Sequence, residues 1–567
     1  MSELETRNCE SAAAGSAATP SLSVDVLVVG GGINGAGIAR DLAGRGLKLL
    51  LCEQDDLAQH TSSASTKLIH GGLRYLEHYE FALVRKALSE RERLLKSAPH
   101  IMRPLRFVMP HDPSMRPAWM IRMGLWLYDH LAKREWLPAS HAIDLRRHVA
   151  GTPLRPQFTK GFVYSDGWVD DARLVVLCAI DASARGASVM TRCPCLGAER
   201  HAGGWRARLQ PAGGAALTVQ ARALVNAAGP WTEAFLRDRV QLPSARSLRL
   251  VKGSHIVVPR LFEHDLAYIF QNPDQRIIFA IPYEGQFTLI GTTDVEVQGA
   301  PGSAHIDAGE VAYLCAQAGR YFSKPLAPAD VVWSYSGVRP LLDDDAGAAS
   351  AVTRDYLLEF DDHAGAPLLS VWGGKITTFR KLAEEASDAL MLRLAEATGH
   401  QSGDQFGHQS GHQSGYQPGP NSDPRAGAPI GAWTEPALLP GADLRAWIGP
   451  PQRPDLDLAR FTDALAQRHP QLGRALCLRW ARAYGARVEL ILARPGGLGD
   501  EVVDGLYRAE LDYLFEHEWA RSADDVLWRR SKLGLHLTPA QRQRVAQWWQ
   551  VHHSPSMHEQ ATESACN

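Results

Sequence analysis

Gly30-x-Gly32-x-x-Gly35, with Glu53 18 residues beyond Gly35, is the spacing in this chain that implies the most specific chemistry. Glycines at those positions let the backbone turn tightly and approach a pyrophosphate, which then sits at the positive end of a helix. A carboxylate at Glu53 can accept hydrogen bonds from both hydroxyls of a ribose. Three glycines alone also read as a turn with no ligand, so the flanks decide. Val24 to Val29 is an apolar run and predicts a strand. Ile33 to Ala43 predicts a helix that ends at Gly44-Arg45-Gly46, and Leu47 to Cys52 predicts a second strand ending on the acid. Strand, glycine turn, helix, strand and acid together make a dinucleotide-binding unit.

A second cluster follows at once. Thr61, Ser62, Ser63, Ser65 and Lys67 supply hydroxyls and a cation, and Gly71 and Gly72 lie just beyond. A nicotinamide dinucleotide needs only a half-site at the first unit, whereas this extra run suits a longer, buried cofactor. The segment TSSASTKLIHGGLRYLEHYEFALV resembles the FAD-dependent glycerol-3-phosphate dehydrogenase family of the aerobic bacterial type, within the glycine/D-amino-acid oxidase-like flavoproteins. The resemblance continues through SDGWVDDARL, LVNAAGPW, KGSHIVVPR, IGTTD, YSGVRPLLDD, TRDY and GGKITTFRKLAE, dense over residues 23–395 and thinner beyond.

The resemblance implies an α/β fold. It consists of a Rossmann-like FAD-binding domain with an inserted, mainly antiparallel substrate domain at about 98–160 and 245–345, plus a small all-α C-terminal domain. It also implies oxidation of sn-glycerol 3-phosphate to dihydroxyacetone phosphate. Flavin oxidation of an alcohol needs the carbinol carbon near flavin N5, a base for the hydroxyl proton, and fixed positive charge for a phosphate. By resemblance, Arg74, Tyr75, His255, Arg339, Arg354 and Lys375 line the substrate pocket, with the Arg and Lys side chains around the phosphate and glycerol oxygens. His255 is the candidate general base, because an unperturbed imidazole titrates near working pH; read alone, such a histidine is more often packed than a base. Arg339 is cast as the group that polarises the forming ketone, since a guanidinium is too weak an acid to serve as a base. Gly229 and Gly374 are expected to let backbone approach the flavin. Thr377, at a predicted helix start with Thr378, is expected to present an amide to a flavin oxygen.

At 567 residues the chain is too long for one simple core. Its 45% apolar and 22% charged content is ordinary for a globular protein, and a net charge of −2 gives no reason to expect a nucleic-acid partner. Eight cysteines are scattered without a CxxC pair, so reduced, mostly buried thiols and no metal site are expected. Residues 1–22 read as a disordered extension and 23–395 as the oxidoreductase region. HisGlnSerGly recurs three times within a low-complexity linker at 396–432. Helical spacing of Phe461, Ala464, Leu465 and Leu472, and of Ala475, Leu478, Trp480, Ala481 and Tyr484, marks a helical domain at 433–550, with 551–567 as a tail.

No motif for haem or an iron–sulfur cluster is present, so the electrons of reduced flavin must pass to a quinone, oxygen or a soluble carrier. Arg116 to Leu137 bears on that choice. At 100° per residue Met120, Ile121, Leu125, Leu127, Tyr128 and Leu131 share one face, with Arg122, His130, Lys133 and Trp126 opposite. Basic residues mixed with Trp suit an anionic membrane surface, although a helix packed on its own domain gives the same pattern. The expectation is a cytoplasmic enzyme, peripherally attached to the inner face of the membrane, passing electrons to membrane quinone; a homodimer is left open. The alternatives are a glycerol-3-phosphate oxidase using oxygen, or an amine or amino-acid oxidase of the same fold.

Overall fold

The computed structural model describes residues 21–112, 116–244, 246–274, 276–297, 299–343, 355–362, 365–396 and 431–553. The expectations for residues 1–20, for most of the linker and for Arg354 fall outside them. Two boundaries differ from the sequence reading. Ser21 and Leu22 already belong to the first strand, where they pair with Thr218 and Val219. The last helix, Pro539–His553, takes in the first three residues of the expected tail, and the His553 ring stacks on Phe515.

The first sheet forms because its strands are apolar on both faces, which suits parallel pairing under cover on both sides. Ser21–Val29 lies between Leu49–Cys52 and Leu217–Asn226, parallel to both. Ser188–Met190 extends the sheet on one side, and Leu368–Trp372 and Leu357–Asp361 extend it on the other. Val26 and Val28 pack under the helices Ile33–Gly44, Asp171–Ala184 and Phe379–Glu396. Leu27 and Val29 point the other way, against Trp205 and Leu209 of an antiparallel meander. Asp170 starts its helix by accepting from Arg173 N at 3.2 Å, a side-chain cap of the usual kind.

The second sheet has ten strands, antiparallel apart from the pairing of Ala267–Gln271 with Met102–Pro110. Its strands begin at Leu68–Ile69, include Met102–Pro110 and Lys160–Val169, and resume from Leu248–Pro259 to Trp333–Leu342. The register of Leu248–Pro259 with Trp333–Leu342 sets His255 opposite Tyr335 and Val251 opposite Arg339. This sheet therefore delivers side chains from distant segments to the edge of the first.

Beyond residue 431 the helices Pro454–Arg468, Gly473–Tyr484, Arg508–His517 and Pro539–His553 enclose a core of Phe461, Leu465, Trp480, Tyr484, Leu514 and Trp549. Full burial of side chains this large contributes about 1.5–3 kcal/mol each. A short hairpin, Glu501–Val503 with Leu506–Tyr507, joins the helices of this region. Leu478, expected in the core, lies on the outer face at 36% exposure.

The helix Ala118–His130 also departs from expectation. It buries Leu125, Tyr128 and Asp129, and Met120 lies on the exposed side instead of the packed face. Asp129 is drawn inward because its carboxylate accepts from Ser140 N at 2.8 Å and from Ser140 Oγ at 2.7 Å.

Candidate active site

The turn after the first strand is built so that only glycine fits. Gly30 has φ of +112°, and a Cβ there would lie 2.4 Å from the Ala227 carbonyl oxygen; a Cβ on Gly35 would lie 1.9 Å from Gly30 O. Gly35 thus serves the packing of helix on turn. Gly32 is the cap of the helix Ile33–Gly44, which has no acidic residue in its first turn, leaving its positive end for an anion. Glu53 closes the unit: Oε2 accepts from Gly31 N at 2.5 Å and Oε1 from Asp55 N at 2.9 Å. Burial raises its carboxyl pKa, and those two backbone bonds oppose the rise.

A cavity of about 280 Å³ opens there, lined among others by Gly30, Gly32, Glu53, Thr61, Ser62 and Gly229. A second, of about 320 Å³, shares Ile33, Thr61, Ser62, Pro340, Gly373 and Gly374 with it, so the two make one elongated slot. The walls fit a dinucleotide. A Cβ on Gly374, at φ of +96°, would meet Asn34 Nδ2 at 2.8 Å, and the buried Asn34 Oδ1 in the slot wall has no partner. Ser62 Oγ accepts from Ile33 N at 2.9 Å, and Thr61 Oγ1 donates to Val338 O at 2.7 Å, so this loop joins the helix start to the second sheet.

Four expected cofactor residues have other partners. Lys67 is buried, and its Nζ donates to Asp171 Oδ2 at 2.8 Å and to Ser63 O at 2.7 Å, which fixes the loop from behind. Burial lowers its pKa, opposed by Asp171. Ser63 Oγ bonds back to His60 O, and Ser65 Oγ donates to Asp171 at 2.7 Å, although Ser65 lines the second cavity. Gly71 lies against Leu88 and Tyr128, and its N donates to Tyr128 Oη at 2.8 Å. Neither Lys67, Ser63 nor Gly71 forms part of the slot wall, whereas Gly72 does.

The second cavity brings together Arg74, Tyr75, His255, Arg339, Lys375 and Thr377 from four separate segments. Lys375 Nζ lies 4.0 Å above the Tyr75 ring, a cation–π contact that fixes its direction. Arg339 Nη2 donates to Thr293 O at 2.9 Å and to Asp294 Oδ1 at 2.6 Å. Thr377 Oγ1 accepts from His70 N at 3.3 Å.

His255 is buried, stacked at 4.8 Å on Tyr335, with Thr66 Oγ1 2.9 Å from Nε2; its Nδ1 has no partner. Burial, then the charges of Lys67 and Arg339, hold its pKa well below the ordinary value of 6.5. This corrects the argument made for it from sequence. The ring is a neutral acceptor across the working range, not a group poised to titrate within it.

Several wall residues escaped the sequence reading. Asn34 lies inside the glycine motif, and a polar residue at that position was the available signal. Asp294 closes the IGTTD block, but nothing local to it identifies Arg339 as its partner. Thr66, Tyr164 and Asp166 reach the cavity only through folding. Asp166 accepts from Arg91 Nη1 at 2.7 Å and from Tyr128 Oη at 2.8 Å, which anchors that wall.

Comparison with known proteins agrees with this geometry. A model of the FAD dependent oxidoreductases matches residues 25–380. The chain is 51% identical over 533 residues to a glycerol-3-phosphate dehydrogenase of Pseudomonas aeruginosa, covering 93% of this chain and 95% of that one. It is 47% identical over 529 residues to a D-erythritol 1-phosphate dehydrogenase of Brucella abortus, covering 93% and 97%. Among solved structures, a glycerol-3-phosphate dehydrogenase from Bacillus halodurans complexed with FAD superposes with a TM-score of 0.70 at 26% identity, over 94% of this chain and 91% of that one.

Proposed function

Since the chain belongs to the FAD-dependent oxidoreductase family, we propose that it oxidises sn-glycerol 3-phosphate to dihydroxyacetone phosphate and passes the electrons to a membrane quinone. Bound FAD would supply the hydride acceptor; in this reading Glu53 holds its adenosine ribose and Gly374 lets backbone approach its ring. The observation that carries the reading is the continuity of that slot, from Glu53 to the cations Arg74, Arg339 and Lys375.

The residues divide the work. Arg74 and Lys375, with Arg354 by resemblance, hold the phosphate. Lys375 is aimed by Tyr75, so little rotamer freedom remains to lose on binding. Arg339 is held from one side by Asp294 and Thr293, and its remaining donors stabilise negative charge on the carbinol oxygen. The hydroxyl proton passes to Thr66 Oγ1 while the Thr66 proton passes to His255 Nε2, across the 2.9 Å contact. A dianionic phosphate entering this cavity offsets Lys67 and Arg339, which raises the basicity of His255 at the moment it is needed.

The test is anaerobic titration of the holoenzyme with glycerol 3-phosphate. Bleaching of the flavin band is the expected result, and its absence would end this reading. D-erythritol 1-phosphate belongs in the same experiment, because a relative 47% identical over 93% of the chain carries that name. A higher kcat/KM with the four-carbon substrate would replace glycerol 3-phosphate in the assignment.

The acceptor reading rests on the surface. No helix among the described residues is long and apolar enough to cross a membrane. On the helix Ala118–His130, Trp119, Met123 and Trp126 are 64%, 57% and 54% exposed, with Lys133 exposed just beyond its end. Aromatic and basic side chains together on an exposed helix support peripheral attachment to an anionic bilayer, on its cytoplasmic side in our reading.

A further inference from the structure

The C-terminal helical region does more than pack against the rest of the molecule. Two loops wall the adenosine end of the slot: one from Glu53 to Ser62, the other from Cys193 to Cys195. They are tied to each other by backbone. Cys193 N donates to Glu53 O at 2.7 Å, and Arg192 N donates to Asp55 O at 2.8 Å. Each is also held from behind by the segment Asp525–Arg530, far along the chain.

On the first loop, Asp56 accepts a two-pronged contact from Arg530, Nη1 to Oδ2 at 2.7 Å and Nη2 to Oδ1 at 2.8 Å, and a third bond from Arg529 Nε at 2.6 Å. On the second, Arg192 Nη2 donates to Asp525 at 2.7 Å. Arg529 also bonds Asp525, which links the two contacts. Asp56, Asp525 and Arg530 are all buried, and Asp525 is further fixed by Arg521 N at 2.7 Å and Ser522 N at 3.0 Å. Neither Asp56 nor Arg192 lines the slot. Gln54 and Ala58, two positions either side of Asp56, and Cys193, next to Arg192, line it instead.

We propose that the C-terminal region positions the adenosine end of the cofactor: the ion-pair chain Arg530–Asp56–Arg529–Asp525–Arg192 holds both loops at the spacing the adenosine needs. Asp56 and Arg192 are positioning residues, acting on the ligand through Glu53, Gln54 and Cys193. Planar two-pronged contacts of this kind fix orientation as well as distance. Because the chain crosses between regions, loss of either end should loosen the part of each loop nearest Asp56 and Arg192. The inference rests on the adenosine end lying against Glu53.

The experiment compares full-length Arg192→Met, Arg530→Met and Glu53→Ala proteins. A control, Arg479→Met/Glu510→Gln, removes an ion pair between the helices Gly473–Tyr484 and Arg508–His517 of the C-terminal region, neither residue of which bonds to Arg530, Asp525 or either loop. Apoenzymes are titrated with FAD by flavin fluorescence and with ADP, the adenine half alone, by calorimetry. Arg192→Met and Arg530→Met should each weaken ADP and FAD binding by about tenfold or more, with kcat at saturating FAD near that of the unmodified enzyme. Hydrogen exchange of residues 54–62 and 191–195 should quicken in both holoenzymes. The control should lower the melting temperature while leaving ADP affinity unchanged. Normal ADP binding by both Arg variants, or an equal loss in the control, would overturn the proposal. Arg192→Met, at a partly exposed side chain, keeps the test available should Arg530→Met fail to fold. If Glu53→Ala alone leaves ADP binding intact, the fault lies in the placement of the adenosine, not in the brace.

Discussion

Replacing Glu53 with alanine should weaken FAD binding far more than it slows turnover. In the structure its carboxylate already accepts from Gly31 N and Asp55 N, at 2.5 and 2.9 Å, which fixes both oxygens and leaves lone pairs facing the cavity. A hydrogen bond to a charged group contributes about 1.5–3 kcal/mol. At about 1.4 kcal/mol per tenfold, loss of one ribose contact raises the FAD dissociation constant roughly 10- to 150-fold. Burial lifts the Glu53 pKa, so the lower part of that range is the better expectation. Glutamine should be no milder than alanine. Both oxygens of Glu53 face backbone N–H groups, so an amide NH₂ at either position opposes a donor. Apoenzyme titrated with FAD by flavin fluorescence gives the dissociation constant, and turnover at saturating FAD gives kcat. An unchanged dissociation constant would remove Glu53 from the site. A kcat loss as large as the binding loss would mean that Glu53 acts at the reacting end.

Four further outcomes are expected. Arg339→Met should abolish turnover with flavin still bound, whereas Arg354→Met should chiefly raise KM, because a phosphate contact persists through ground and transition states; normal kinetics in both would refute the pocket assignment. His255 has a folded pKa below its unfolded value, so the unfolded chain binds the extra proton and stability is lost as pH falls below about 6.5. The urea midpoint of the unmodified protein should therefore fall more than that of His255→Asn between about pH 7 and 5, and parallel slopes would contradict the burial argument. Replacing Trp126 and Lys133 together with alanine should reduce co-sedimentation with anionic vesicles and quinone turnover but spare turnover with a soluble dye, and added salt should weaken the attachment, since charges are screened over roughly 8 Å at physiological ionic strength; stoichiometric peroxide without vesicle binding would favour the oxidase alternative. Deleting residues 402–418, a stretch too poor in apolar side chains to build a core, should leave activity and Tm nearly unchanged, and a large fall in Tm would show that the repeat packs or binds.

The sequence by itself determined the cofactor end of this protein. A glycine turn, the helix after it and an acid at the next strand end are local geometry, and a fixed spacing along the chain is enough to place them. Gly30, Gly32 and Glu53 stand together for that reason. What the sequence could not supply is partnership between distant segments. Lys67 read as a cofactor cation because its neighbours are hydroxyls and glycines, yet Asp171, 104 residues away, takes its charge. The ionisation of His255 follows from burial and from Lys67 and Arg339, none of which its own strand encodes. Met120 lies on the exposed side of its helix because a 100° repeat orders side chains around an axis without saying which side meets the core. Asp56 and Arg530, 474 residues apart, carry no shared pattern at all. Periodicity and turn chemistry act over a few residues, whereas burial, charge pairing and pKa depend on whatever the folded chain brings alongside. The tertiary structure alone decided those.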